Sequence, residues 1–296
     1  MLDVKKVQST NSVIINGILK ELNIEEKQTA DGRGYVTGTA LVKVEQEYNG
    51  VVMDNEIPVR MFSMRLKSDG NPNAVYDGIV KMKEDFISLA AAENPSQASR
   101  VSITSGQLQE NMWIDKTTGQ PRVKEFQISS NFMRKGKMED ADVARFELSG
   151  VVGNITDEVD KEGNETGRVI LELIVVGYAG KTDVLKLYTG KPEAANHIRT
   201  NWEKGDTVTL TGIVNMTYKV ETKVVEQAFG DPIERRTTVS KKELIITGGC
   251  ASGLDEDCSY DTDGIKIALN ERQGRIDKLS EKKPATTPKA KKDLGF

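Results

Sequence analysis

The sequence predicts an all-β chain of two tandem Greek-key barrels, each with one helix between its third and fourth strands, followed by a C-terminal helix and a disordered tail. Three observations predict it. Strand patterns rich in β-branched residues occur twice in the same order along the 296 residues. Within them apolar and polar side chains alternate with period two, the mark of a sheet with one buried face. A glycine interrupts the first strand of each half, Gly17 and Gly150, where the strand of a small barrel bends sharply.

The elements follow in order. Val13-Ile14-Ile15-Asn16-Gly17-Ile18-Leu19 parallels Phe146-Glu147-Leu148-Ser149-Gly150-Val151-Val152, and a polar, glycine-bearing loop follows each, residues 25–34 and 157–168. Second strands at 35–48 and 169–178 end in Tyr48-Asn49-Gly50 and Tyr178-Ala179-Gly180, a turn composition suited to a hairpin. In the third strands, Val59-Arg60-Met61-Phe62-Ser63 and Leu185-Lys186-Leu187-Tyr188-Thr189, a cation and a ring share the outward parity twice. Helices are expected over 75–92 and 193–202, fourth strands from Val101 and Val208, and closing strands over 123–132 and 237–247. Strand, strand, strand, helix, strand, strand is the order of an OB-fold, whose second- and third-strand face and flanking loops take oligonucleotides. The expected organisation is a first OB-fold domain over 1–135, a linker over 136–144, a second OB-fold domain over 145–250, an acidic loop and helix over 251–283, and a flexible tail over 284–296. In the helix, Ile265, Leu269, Ile276 and Leu279 form a stripe that Arg272 interrupts; the tail is Pro, Thr, Ala and Lys and cannot build a core.

The stretch from Gly106 to Phe126 reads as a hairpin around Asp115-Lys116-Thr117-Thr118-Gly119-Gln120-Pro121. Leu108, Met112 and Ile114 share one parity; Gln107, Gln109, Asn111 and Trp113 share the other, which sets an indole on the polar face. An indole there, beside Lys116, Arg122 and Lys124, suits stacking on a base with cations for the phosphates. Arg33, Tyr35, Lys43, Arg60 and Phe62 extend the same predicted surface in the first half. In the second half Arg168, Lys186 and Tyr188 repeat the pairing, while Lys219 stands where the first half has Trp113. Parity assigns Tyr218 to the core with Val214 and Met216, and Trp202 is expected to be buried.

Gly106-Gln107-Leu108, then Trp113, Asp115, Gly119 and Gln120, resembles the fourth-strand hairpin of bacterial and phage single-stranded DNA-binding proteins. The resemblance covers about residues 10–248 as topology and scattered motifs. It implies that Trp113 stacks on bases and that the chain coats single-stranded DNA during replication, recombination or repair, as a monomer or homodimer. The terminal Asp293-Leu294-Gly295-Phe296 resembles the tail tip with which that family recruits replication and recombination proteins, although Lys289, Lys291 and Lys292 replace the acidic run before it.

Composition narrows the field. The net charge of −4 is uneven, because residues 255–263 alone carry −5 and leave the remainder at +1. Local patches therefore decide whether a polyanion binds. No apolar run approaches the roughly 20 residues of a membrane span, and the first residues lack a signal-peptide core, so a cytoplasmic protein is expected, in the host cytoplasm if phage-encoded. Cys250 and Cys258 do not form a metal or disulfide framework, and His197 has no nucleophile or carboxylate pattern beside it, so neither a cofactor nor catalysis is expected. Two rivals share the barrel: an assembly module such as a virion part, and an RNA-binding protein.

Overall fold

A computed structural model describes the backbone of residues 1–115, 117–137, 139–225, 233–251 and 259–281, with the side chains at 124–125, 219–225, 233–239 and 280–281 outside the description. Lys116, Cys258, most of the acidic loop, the tail with Asp293, Leu294, Gly295 and Phe296, and the side chains of Lys124 and Lys219 thus lie outside the described residues.

Strands β1 (Asn11–Gln28), β2 (Gly34–Tyr48), β3 (Val51–Met64), β4 (Arg100–Ile114) and β5 (Pro121–Ser129) form a closed circuit, with helix α1 (Ala74–Asp85) between the third and fourth. Four of its joints are antiparallel, and the circuit closes where Val59 and Arg60 of β3 run parallel to Ile128 and Ser129 of β5. Strands β7 (Val143–Val159), β8 (Glu165–Val176), β9 (Thr182–Thr189), β10 (Thr207–Val225) and β11 (Ile233–Ala251) repeat the circuit, with helix α2 (Pro192–Asn201) in the equivalent place. Its parallel closure joins Tyr188 and Thr189 of β9 to Ile245 and Ile246 of β11. The short β6 (Arg134–Lys135) pairs with the start of β4, and α3 (Thr262–Glu281) ends the described chain.

Gly17 and Gly150 do what their spacing suggests. A Cβ on Gly17 would collide with the carbonyl oxygen of Lys43, and one on Gly150 with that of Ile174, so each glycine lets the first strand cross its neighbour closely. A register shift follows shortly after in each ladder, at Leu19/Glu21 and at Val152/Asn154. The Asn49-Gly50 turn has both residues at positive φ, 52° and 74°, as a two-residue hairpin requires.

Several expectations shift. α1 ends at Asp85 rather than continuing to residue 92, with Phe86 extended at its C-cap. The hairpins are longer than the patterns suggest: β10 and β11 stay paired to Val225 and Ile233. Tyr218, expected in the core, is 59% exposed. It keeps the parity of buried Val214 and Met216, but β10 pairs with β7 only as far as Ile213, and Tyr218 borders an open cleft with Leu41, Glu56 and Pro58 of the first circuit. Trp202 is buried, as expected.

The two circuits form one sheet. β1 and β7 pair antiparallel from Asn11↔Leu148 to Asn16↔Val143. The β2–β3 hairpin of the first circuit reaches across the second: buried Gln46 donates to the Val214 carbonyl and accepts from the Ala144 N–H, and Asn55 Oδ1 accepts from the Met216 N–H at 2.7 Å. The N-terminal residues lie on the second circuit, where Leu2 bridges Tyr260, and Val4 packs with Val151, Ile174, Val176, Ile265 and Ala268. α3 bridges both circuits. Thr182 of β9 donates from Oγ1 to the Ala268 carbonyl of α3 and accepts from Arg275, while Arg272, the charge that interrupts the apolar stripe of α3, pairs with Glu110 of β4.

Candidate nucleic-acid interface

The outer face of β2, β3, β5 and β4 in the first circuit carries Tyr35, Arg60, Phe62 and Trp113. On β3, Arg60 and Phe62 point outward in alternation with buried Val59 and Met61. Phe62 is 54% exposed, and its ring lies 5.6 Å from that of Tyr35 on β2. Gln107 and Gln109 on β4, with Gln127 and Ser129 on β5, line the same shallow trough of about 680 Å³. Exposed rings beside amide donors and acceptors can stack bases and meet their edges without demanding one sequence.

Trp113 stands further along β4 on this outer side and is 37% exposed. The alternation holds because the register shift adds its extra residue to β5: Glu110 faces Phe126 while Met112 faces Val123. Glu110 therefore turns inward and Trp113 outward, opposite Arg122. Asp115 fixes the turn, its Oδ1 accepting from the N–H groups of Thr117 and Thr118 at 2.8 and 3.2 Å. Those donors hold its carboxyl below the usual carboxylate range.

The cations are mostly committed to neighbours. Arg33 pairs with Asp31 at 2.7 Å, Lys43 with Asp54 at 3.4 Å and Arg122 with Asp115 at 3.3 Å. All three pairs are exposed or half-exposed and exchange readily for a phosphate, since such pairs contribute only about 0–1 kcal/mol. Of the sequence-predicted cations on this face, Arg60 is exposed and forms no ion pair among the described residues, which leaves it open to a phosphate.

The second-half candidates are held differently. Arg168 binds Glu243 with both terminal nitrogens at 3.3 Å, approaches Glu158 at 3.5 Å, donates from Nε to the Thr189 carbonyl and lies 5.0 Å from the centre of the Tyr188 ring. Lys186 pairs with Glu172 at 3.5 Å. Tyr188 is half-buried in a cleft between circuits whose far wall is Glu110, Val123 and Phe126 of the β4–β5 hairpin. The β4–β5 hairpin thus stands over Tyr188 across this cleft, while the Lys186 side chain stays 63% exposed.

One exposed ring escapes the sequence reading. Phe132 was expected to end the closing strand, yet β5 stops at Ser129 and Phe132 is 58% exposed at the end of the trough. Ser129-Ser130-Asn131 is the signal for that stop: the Ser130 hydroxyl bonds the Phe132 backbone, and Asn131 Oδ1 accepts from the Phe62 N–H at 3.0 Å.

The YorF family model matches residues 9–282. The chain belongs to the YorF family. This YorF-family chain is similar in fold to the wild-type single-stranded DNA-binding protein from Thermus aquaticus, with 14% identity and a TM-score of 0.50 over 83% of this chain and 94% of that one. A deletion variant of the same Thermus aquaticus protein aligns with 12% identity and a TM-score of 0.50 over 86% and 98% of the two chains. At these identities the likeness shows the fold, β-rich and OB-like. No curated protein matches the YorF-family chain in sequence.

Proposed function

We propose that the chain binds single-stranded DNA without sequence preference and without catalysis, and that its two circuits are tandem OB-fold domains. The observation that carries this is the outer face of the first circuit, where Tyr35, Phe62 and Trp113 are accessible beside Arg60 and a row of amides. Such a face supplies what strand binding needs, rings for bases and cations for phosphates. The likeness in fold to a single-stranded DNA-binding protein supports the reading. Replication, recombination or repair of phage DNA in a host cytoplasm is the setting proposed, with Asp293 to Phe296 recruiting protein partners and the assembly a monomer or homodimer. The domain limits proposed are 1–135 and 145–250, joined by 136–144. Among the described residues no helix is long and apolar enough to cross a membrane.

Titration with oligo-dT tests it. Trp202 is buried, so quenching of intrinsic fluorescence reports Trp113. Binding should quench it, weaken steeply as salt rises and exceed binding to duplex; unquenched fluorescence, or equal affinity for duplex, would overturn the reading. Oligo-rU in competition separates RNA from DNA preference.

A further inference from the structure

A second cleft of about 780 Å³ lies between α1 and the outer side of β4, and neither the hairpin motif nor the third-strand repeat points to it. One wall is Val75, Gly78 and Phe86; the other includes Ser102 and Thr104 of β4. Its floor and rim are the segment after β5, where Phe132, Arg134 and Lys135 follow one another closely. Ser105, Asn131 and Phe132 line both this cleft and the trough over Phe62, so the two depressions are continuous and Phe132 stands at their junction.

The junction is built rather than loose. Ser130 N–H donates to the Arg60 carbonyl at 2.9 Å, Asn131 accepts from Phe62, and β6 pairs Arg134 with Ser102 and Lys135 with Val101. Neither Arg134 nor Lys135 forms an ion pair among the described residues, and both are exposed. Asp85 is the acidic residue on the opposing side. A polyanion leaving the trough past Phe132 therefore meets two free cations, hydroxyls on β4 and apolar contacts on α1.

We infer that this α1–β4 cleft is a second segment of the nucleic-acid path, in which Phe132 stacks a base at the corner and Arg134 and Lys135 take the following phosphates. The inference rests on the single-stranded DNA reading proposed above and extends the footprint off the sheet face.

The test compares short and long oligo-dT on the full chain, the short one just long enough to quench Trp113. The pair R134A/K135A should leave the short oligonucleotide unaffected, weaken the long one and flatten its logarithmic salt dependence by about 1.4, two single-strand phosphate contacts. Phe132→Ala should weaken the long oligonucleotide by about five- to a hundredfold, and Phe132→Trp should add a second quenched emission. Long-oligonucleotide affinity and salt slope unchanged in both variants, or equal losses on both lengths, would overturn the inference while leaving strand binding intact. If the unaltered chain binds neither length, the underlying reading falls, and the inference with it.

Discussion

Val13 lies opposite Phe146 in the ladder that joins the two circuits, and each residue also faces the glycine of its own fourth strand, Gly106 or Gly212. Equivalent residues therefore pair with each other, which makes the ladder locally twofold. The same relation recurs at the hairpins: Phe126 faces Glu110 and Lys242 faces Met216, equivalent positions counted from those glycines, and Lys242 Nζ lies 5.1 Å from the centre of the Phe126 ring. One chain thus builds an internal pseudo-dimer, with each half offering an extended fourth–fifth-strand hairpin towards the other.

A shared ladder and a core continuous across both circuits should unfold together. Scanning calorimetry is expected to give one transition with matching calorimetric and van't Hoff enthalpies. Two resolved peaks would mean that the β1–β7 ladder and the crossing β2–β3 hairpin couple the halves only weakly.

Arg272 binds Glu110 with its guanidinium, Nε to Oε2 at 2.7 Å, and the side chains are only 17% and 3% exposed. The hydrogen bond to Glu110 raises the Arg272 pKa, so the guanidinium keeps its charge. Arg272→Met would strand the carboxylate in the cleft and is expected to cost about 3–5 kcal/mol in urea unfolding. Adding Glu110→Leu should recover most of the loss, as replacing a whole buried pair usually does. A single-variant loss under about 1 kcal/mol would make the contact no better than a surface pair.

Asp183 on β9 is raised in pKa, first by burial and then by the Glu110 charge, against the opposing pull of Lys181, Arg275 and Arg272. With a raised folded-state pKa, the folded chain holds the proton longer than the unfolded chain does. The Asp183 contribution to stability is then most favourable below the unfolded value of about 3.9 and is lost as pH rises through the folded value. Asp183→Asn should therefore be more stable than the parent at neutral pH, with the gap closing in acid. Thermal melts across that range check it; a gap that widens in acid would reverse the assignment.

The doubled strand pattern was legible because period-two alternation and the two bend glycines are local properties of the chain. Trp113 was legible for the same reason, since the register shift leaves β4 unbroken. What the sequence concealed is long-range. Nothing near Arg272 reveals that it meets Glu110, and nothing near Tyr188 reveals that a hairpin from the other half covers it. Parity failed at Tyr218 because alternation records which side a residue takes and not whether a core persists beneath. Phe132 was overlooked because a strand pattern was extended through Ser130-Asn131, whose side chains instead turn the backbone.

Phe62 and Tyr188 are the outward rings of the two third strands, although strand pairing sets Tyr188, opposite Ile170 and Ile245, where the first circuit has Arg60, opposite Thr39 and Ser129. Exchanging each for alanine separates a binding ring from a structural one. Phe62 is more than half exposed above the trough, and its loss should leave the melting temperature nearly unchanged while weakening oligo-dT by about 1–3 kcal/mol, the contribution of one stacked base. Tyr188 carries the Arg168 guanidinium on its ring and faces the β4–β5 hairpin in the inter-circuit cleft, so Tyr188→Ala should lower stability and leave affinity within about threefold, under 1 kcal/mol. Fluorescence titration and a thermal melt on the same two variants decide the matter. If Tyr188→Ala weakens binding and Phe62→Ala does not, the strand lies on the second circuit, and the hairpin that covers Tyr188 must open to admit it.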